Sequence, residues 1–173
     1  MSLVVRAPRL EDVAELGEVH VAAWQSAYRG SMPDDYLDAL RAEDRAEWWA
    51  EVLRRPPQDR DVRRVAEADG RVRGFVMAGP DGGDGSAVGE VFALNVHPDF
   101  WRGGVGSALL ALAESDLREA GFGNAVLWVV PSNTRARRFY ERAGWRDDDA
   151  HRVEQVHGVE IEEVRYRREL PRP

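Results

Sequence analysis

The chain has 173 residues, 43% of them hydrophobic and 32% charged, with a formal net charge of −7. It lacks cysteine and all 24 of its basic residues are arginine, which excludes disulfides, thiolate metal sites, cysteine-acyl intermediates, Schiff-base lysines and Walker-type lysines. The acidic balance disfavours nucleic acid as a partner. No apolar run nears the roughly 18 residues of a membrane span, and Met1-Ser2-Leu3 does not open a signal peptide, so a one-domain soluble cytoplasmic protein is expected.

Taken in order, Leu3-Val4-Val5 predicts a short strand ended by Ala7-Pro8. Asp12 can cap a helix in which Val13, Leu16, Val19, His20 and Ala23 recur at helical spacing. Gly30 and Pro33 break it; a second helix is expected over 34–40 and a third over 43–55, ended by Pro56-Pro57. Asp69-Gly70 is a hairpin turn between strands around Val62 and Phe75. Residues 80–86, rich in glycine, read as a loop. A long strand over 88–96 leads to a helix over 104–120. The apolar run 125–130 predicts a strand covered on both faces. A helix over 135–143 stops at Gly144, and two strands around His157-Gly158 finish the chain. This order defines a mixed α/β sandwich in one domain.

The segment from Phe92 to Ser107 is the most informative. A strand ends at Val96-His97-Pro98, and glycines open a helix at Gly103-Gly104-Val105-Gly106-Ser107. Glycines permit close backbone approach, and a helix N-terminus offers free N–H groups and the positive end of its dipole, which together suit a diphosphate. Arg102 adds a charge-assisted contact. The third glycine of a dinucleotide-binding fingerprint is missing, as is the acidic residue after the next strand, and no Gly-Lys-Ser/Thr is present.

The stretch resembles the cofactor signature of the GNAT superfamily of N-acetyltransferases, Arg/Gln-x-x-Gly-x-Gly/Ala after a strand. Gly104 and Gly106 match the glycines, whereas Trp101 stands where the family usually has Arg or Gln. The resemblance implies that Arg102, Gly103, Gly104, Gly106 and Ser107 line the diphosphate of acetyl-CoA. It also implies that Leu94 and Val96 pair their backbone with the pantetheine arm, and that a backbone N–H near Val96 polarises the acetyl carbonyl. Because most diphosphate contacts in the family come from backbone N–H groups, Trp101 weakens one side-chain contact only.

Asn133-Thr134-Arg135-Ala136-Arg137-Arg138-Phe139-Tyr140-Glu141-Arg142-Ala143-Gly144-Trp145 reads first as a capped amphipathic helix, with Asn133 or Thr134 as cap. Packing alone does not explain a phenol on the apolar face at Tyr140. The segment is similar to the family's Asn-x-x-Ala-x-x-Phe-Tyr-x-x-x-Gly-Phe motif, with Trp145 for the final Phe. That similarity implies Asn133 beside the cofactor and Tyr140 near the thioester sulfur, where a phenol can protonate the departing thiolate. Trp24, Tyr28, Gly30, Pro33 and Tyr36-Leu37 look like a stretch of many small-molecule GNAT enzymes. The resemblance covers about residues 3–170 and implies a single N-acetyltransferase domain with a mixed, mostly antiparallel sheet and helices on both faces.

A base must take a proton from the attacking ammonium. Glu90 is the candidate, on the strand before the glycine loop, where side-chain alternation sets it level with Leu94; His20, His97, His151 and His157 are rivals. No paired His/Asp spacing points to a metal. Trp24 and Tyr28, with Tyr36, Trp48 and Trp49, are candidates for the acceptor pocket; equally, Trp48-Trp49 reads as half core and half interface, since adjacent residues face apart on a helix. The expected reaction is direct attack of a small-molecule or peptide amine on acetyl-CoA in a ternary complex. A non-catalytic acyl-CoA sensor and an unrelated nucleotide-binding protein are the competing readings. Glu160 and Glu162 on the last strand are expected to blunt a free sheet edge, and Trp48-Trp49 to anchor a homodimer on the helical face.

Overall fold

The computed structural model describes residues 2–82 and 86–171; the centre of the loop expected at 80–86 lies outside them. In chain order the elements are β1 (Leu3–Arg6), α1 (Val13–Ala27), α2 (Asp34–Asp38), α3 (Ala42–Arg54), β2 (Val62–Ala68), β3 (Arg71–Pro80), β4 (Gly89–Val96), α4 (Val105–Glu119), β5 (Asn124–Val129), α5 (Thr134–Arg142), β6 (Arg146–Val156) and β7 (Val159–Glu169). The β2–β3 turn is the one expected, since Asp69 and Gly70 both take positive φ, 51° and 78°. Asp12 departs from expectation. Its carboxylate accepts from the Arg6 guanidinium at 2.7 and 2.8 Å and from the Arg9 N–H at 2.7 Å, and makes no cap to α1. Burial opposes its charge, yet the Arg6 and Arg9 hydrogen bonds prevail and hold the carboxyl below its usual range.

Among the described residues seven strands form one sheet in the order β1-β2-β3-β4-β5-β7-β6, antiparallel throughout except for the β4–β5 pair, which α4 connects. The chain therefore has the mixed, mostly antiparallel sheet that its motifs imply. On one face Val105, Leu109, Ala113 and Leu117 of α4 pack with Val76, Val91, Leu127 and Tyr166. On the other, Leu16 and Val19 of α1 and Trp49 of α3 pack with Val65, Val72 and Phe75. A third cluster joins Met32 and Leu37 to Val130 and Ile161.

Two expectations about the surface are corrected. The last strand is not an edge: β7 lies between β5 and β6, because it buries Ile161 on one face and Val164 and Tyr166 on the other. The free edge at this end of the sheet is β6, and Asp147, Asp148 and Asp149 blunt it instead. The Trp48-Trp49 pair also splits. Trp49 is 1% exposed in the α1–α3 core, while Trp48 is 39% exposed. Trp49 thus belongs to the core, and only Trp48 offers an apolar anchor on that face.

Close approach of α1 to α3 depends on Gly17, where a Cβ would press on the Ala42 carbonyl and lie 3.0 Å from the Ala46 nitrogen. Backbone cannot swing aside as a side chain can. Gly17→Ala is expected to destabilise the fold by about 1–3 kcal/mol through overpacking, read as a lower thermal-unfolding midpoint; an unchanged midpoint would contradict this packing.

Candidate active site

The site begins with a defect in the sheet. Met77 pairs with Ala93 but Ala78 with Val91, so β4 carries an extra residue at Phe92. Pairing of β4 with β5 runs from Gly89↔Ala125 to Val91↔Leu127 and stops there, although β4 continues to Val96 and β5 to Val129. The two strands part beyond Val91 and leave a wedge. The His97 N–H donates to the Arg73 carbonyl at 2.9 Å, which sets the alternation of main-chain groups along the β3–β4 ladder. Asn95 and His97 turn theirs to β3, and Leu94 and Val96 turn theirs into the wedge.

The bulge also corrects the position of Glu90. Simple alternation sets it on the same face as Leu94 and Val96. In the structure Val91, Leu94 and Val96 pack toward α4, and so does the side on which Gly89 would carry a Cβ. Glu90 therefore projects from the opposite face, because the extra residue shifts the period by one. It is 8% exposed and lies beside the Asp81 carboxyl, with which it can share a proton. Burial, the neighbouring Asp81 carboxyl and, more weakly, Glu163 raise its proton affinity, against the opposing Arg152.

At the mouth of the wedge the chain turns through Arg102 (φ 64°) and Gly104 (φ 82°) into α4. A Cβ on Gly104 would point into open space, so packing does not require glycine there; the left-handed backbone does. Arg102 holds the same conformation at a cost of roughly 1–2 kcal/mol, in the loop its motif marks for ligand contact. Gly103 and Ser107 are exposed on this turn, while Gly106 lies against Phe139 and Val96.

Asn133 caps α5, its side chain accepting from the Ala136 N–H at 3.1 Å, and lines a cavity of about 330 Å³ with Ser132, Arg135, Ala27 and Gly30. Tyr140, two turns along, is 9% exposed among Phe139, Trp145 and Tyr166, and its hydroxyl has no partner among the described residues. Burial, with Tyr28 adding to it, raises its proton affinity far above that of a free phenol. Tyr28 itself is pushed up to about 12 by burial and by Glu163. Trp24 stacks on Tyr28 at 4.8 Å. The wedge thus has Tyr140 on the α4 side, and Glu90 with Tyr28 on the other.

Two groups at this site carry no motif. Arg152 pairs with Glu163 at 2.7 Å and covers the Trp128 ring at 4.4 Å, on the face that Glu90 shares. The Trp101 indole donates to the Val96 carbonyl at 2.9 Å, and the Arg135 guanidinium lies over its ring at 3.2 Å. Only the departure of Trp101 from the signature marks this second group in the sequence. The rival histidines have other surroundings. His20 is enclosed by Trp24, Trp48, Trp49 and Phe75, with burial and Arg45 lowering it to about 4. The His97 ring accepts from the Asp99 N–H, and His157 stacks on Tyr36. Among the described residues no three His, Asp or Glu side chains gather as metal ligands.

The fold is thus a sheet split between two parallel strands, with a glycine turn at the mouth of the split. Residues 21–145 match the acetyltransferase (GNAT) family, and the chain belongs to it. It is 30% identical over 135 residues to the uncharacterized N-acetyltransferase YuaI of Bacillus subtilis, covering 76% of this chain and 73% of that one. It is 37% identical over 133 residues to the mycothiol acetyltransferase of Clavibacter sepedonicus, covering 64% of this chain but only 42% of that longer relative. Among solved structures the fold is similar to PaiA N-acetyltransferase from Thermoplasma acidophilum in complex with coenzyme A, with a TM-score of 0.73 at 22% identity, over 98% of this chain and 99% of that one. It is likewise similar to YncA of Salmonella typhimurium with acetyl-CoA, with a TM-score of 0.71 at 19% identity, over 100% and 96%.

Proposed function

We propose that this acetyltransferase moves an acetyl group from acetyl-CoA to a primary amine by direct attack in a ternary complex. The observation that carries the reading is the wedge: the main-chain groups of Leu94 and the Val96 N–H face it, an open glycine turn stands at its mouth, and the buried Glu90 carboxyl and the Tyr140 hydroxyl flank it on opposite faces of the sheet. These residues fit coenzyme A. Its diphosphate would lie on the turn of Arg102, Gly103, Gly104, Gly106 and Ser107, and its pantetheine arm would pair with β4. The acceptor approaches from the side of Glu90, Trp24 and Tyr28. Glu90 takes the ammonium proton so that the nitrogen can attack, and the Tyr140 hydroxyl donates to the sulfur as it leaves toward the other face. The Val96 N–H, directed into the wedge, is placed to hold the developing oxyanion. With one group on each face, the incoming nitrogen and the departing sulfur do not compete for space.

The acceptor belongs to the small-molecule or peptide amines. Among the described residues no helix is long and apolar enough to cross a membrane; a cytoplasmic location and a homodimer are part of the proposal. Calorimetry with CoA, ATP and NAD, followed by CoA release during an amine screen, tests the reading. Binding of ATP or NAD in place of CoA defeats it, and CoA binding without turnover on any amine favours a sensor.

The buried carboxyl sets a pH dependence. Glu90 is raised from 4.5 to about 7, and only its ionised form accepts a proton, so kcat/KM should rise with pH through about 7. Glu90→Gln is expected to remove that arm and to lower the rate by roughly 10²–10⁴. The stability effect has the opposite sign. Between pH 4.5 and about 7 the folded chain holds a proton that the unfolded chain has lost, so this group's contribution falls as pH rises through that window. An unaltered pH profile in Glu90→Gln would remove Glu90 as the base.

A further inference from the structure

The helices divide by how their N-termini are treated. Acidic residues occupy the first turns of α1 (Glu15), α2 (Asp34, Asp35) and α3 (Glu43, Asp44), but neither α4 nor α5 has one. In a chain of net charge −7 these two positive helix ends stay uncompensated, and they are the two that flank the mouth of the wedge. Arg135 adds a cation to the first turn of α5, where the dipole opposes it. Its neighbours beside the sheet are neutralised: Arg137 lies 3.7 Å from Asp147, Arg152 2.7 Å from Glu163 and Arg165 2.8 Å from Asp148. Arg135 makes neither an ion pair nor a side-chain hydrogen bond to any described residue; its guanidinium rests 3.2 Å from the centroid of the Trp101 ring.

Stacking uses the face of a guanidinium and leaves its N–H edge free for bidentate donation to an oxyanion; Arg135 is exposed, so an anion can reach that edge. The Trp101 ring is in turn held by its N–H on the Val96 carbonyl at 2.9 Å. Val96 ends β4, Trp101 stands three residues before Gly104, and Arg135 opens α5, so the stack bridges the two strands where they part. We propose that Arg135, held on the Trp101 ring, is a phosphate-binding cation for CoA, supplying from α5 the charge that the glycine turn lacks at position 101. The inference rests on the CoA reading above and adds a contact outside the loop motif. Trp101 is then a positioning residue: it fixes the guanidinium and ties it to the strand expected to hold the pantetheine arm.

Binding of CoA, dephospho-CoA and pantetheine to the parent, Arg135→Gln and Trp101→Phe, measured by calorimetry at several salt concentrations, tests this. Arg135→Gln should lose roughly 10- to 100-fold in CoA affinity, as for a charge-assisted hydrogen bond, and show a shallower salt dependence, with pantetheine binding unaltered. If the loss persists with dephospho-CoA, the contact is to the diphosphate; if it disappears, the contact is to the 3′-phosphate. Trp101→Phe keeps a ring but not the anchor to Val96, so a smaller loss in CoA affinity is expected. Arg135→Lys, which keeps a charge, should recover part of what Gln loses. If Arg135→Gln binds CoA as the parent does, the proposal is overturned while the CoA reading stands. If the parent binds no CoA, both fall.

Discussion

Tyr140→Phe is expected to lower kcat by about 10²–10³, the range for removing one preorganised donor from a developing charge, with CoA affinity little changed. The ring is packed among Phe139, Trp145 and Tyr166 and remains in the variant, so only the hydroxyl is lost. Its environment refines the chemistry expected of a simple acid. Burial raises the proton affinity of the phenol, whereas a thiolate binds a proton at about pH 8.5. Complete transfer to the sulfur is therefore uphill. In the proposed reaction the hydroxyl would serve first as a hydrogen-bond donor that stabilises the charge as the C–S bond breaks, with proton delivery completed later. Single-turnover kinetics isolates this step from product release. A variant with the parental single-turnover rate would show that Tyr140 is only a core residue.

Gly104→Val should abolish detectable CoA binding. Two effects act at this position. The backbone φ of 82° is one that a β-branched residue adopts at a cost of roughly 1–3 kcal/mol, and the new side chain fills the open space above the turn. Strain alone would weaken folding without touching an already folded site. The informative measurement is thus CoA titration of the folded variant, with its circular dichroism matched to the parent. Gly104→Ala separates the effects further, since it carries the strain with a smaller obstruction and should retain more affinity than Val. Parental CoA affinity in Gly104→Val would remove the diphosphate from this turn.

Local sequence determined the elements and the class of chemistry. Asp69-Gly70, Gly104 and Gly144 all take the positive φ their positions require, since turn geometry depends on the residue itself. Asn133 caps α5 through its own side chain, three residues from its partner. The glycine turn and the Asn133-to-Trp145 segment identify the family because a backbone that meets an anion tolerates few residue types, and those types recur at set spacings.

Tertiary structure decided what depends on registers and faces. Period-2 alternation puts Glu90 level with Leu94; one extra residue at Phe92, visible only in the pairing of β3 with β4, moves it to the other face. The hairpin at His157-Gly158 is legible, but which of its strands joins β5 is not. Burial of β7 on both faces made it the interior strand. That Trp48 and Trp49 face apart is legible, since adjacent residues on a helix do, but only packing decided that Trp49 is the one in the core and Trp48 the one left exposed. Arg135 is one arginine among 24. That it meets the Trp101 indole without a carboxylate beside it, where Arg152 and Arg165 meet both the Trp128 ring and an acidic partner, follows from where β5 delivers the start of α5, a long-range outcome of sheet order that no local pattern encodes.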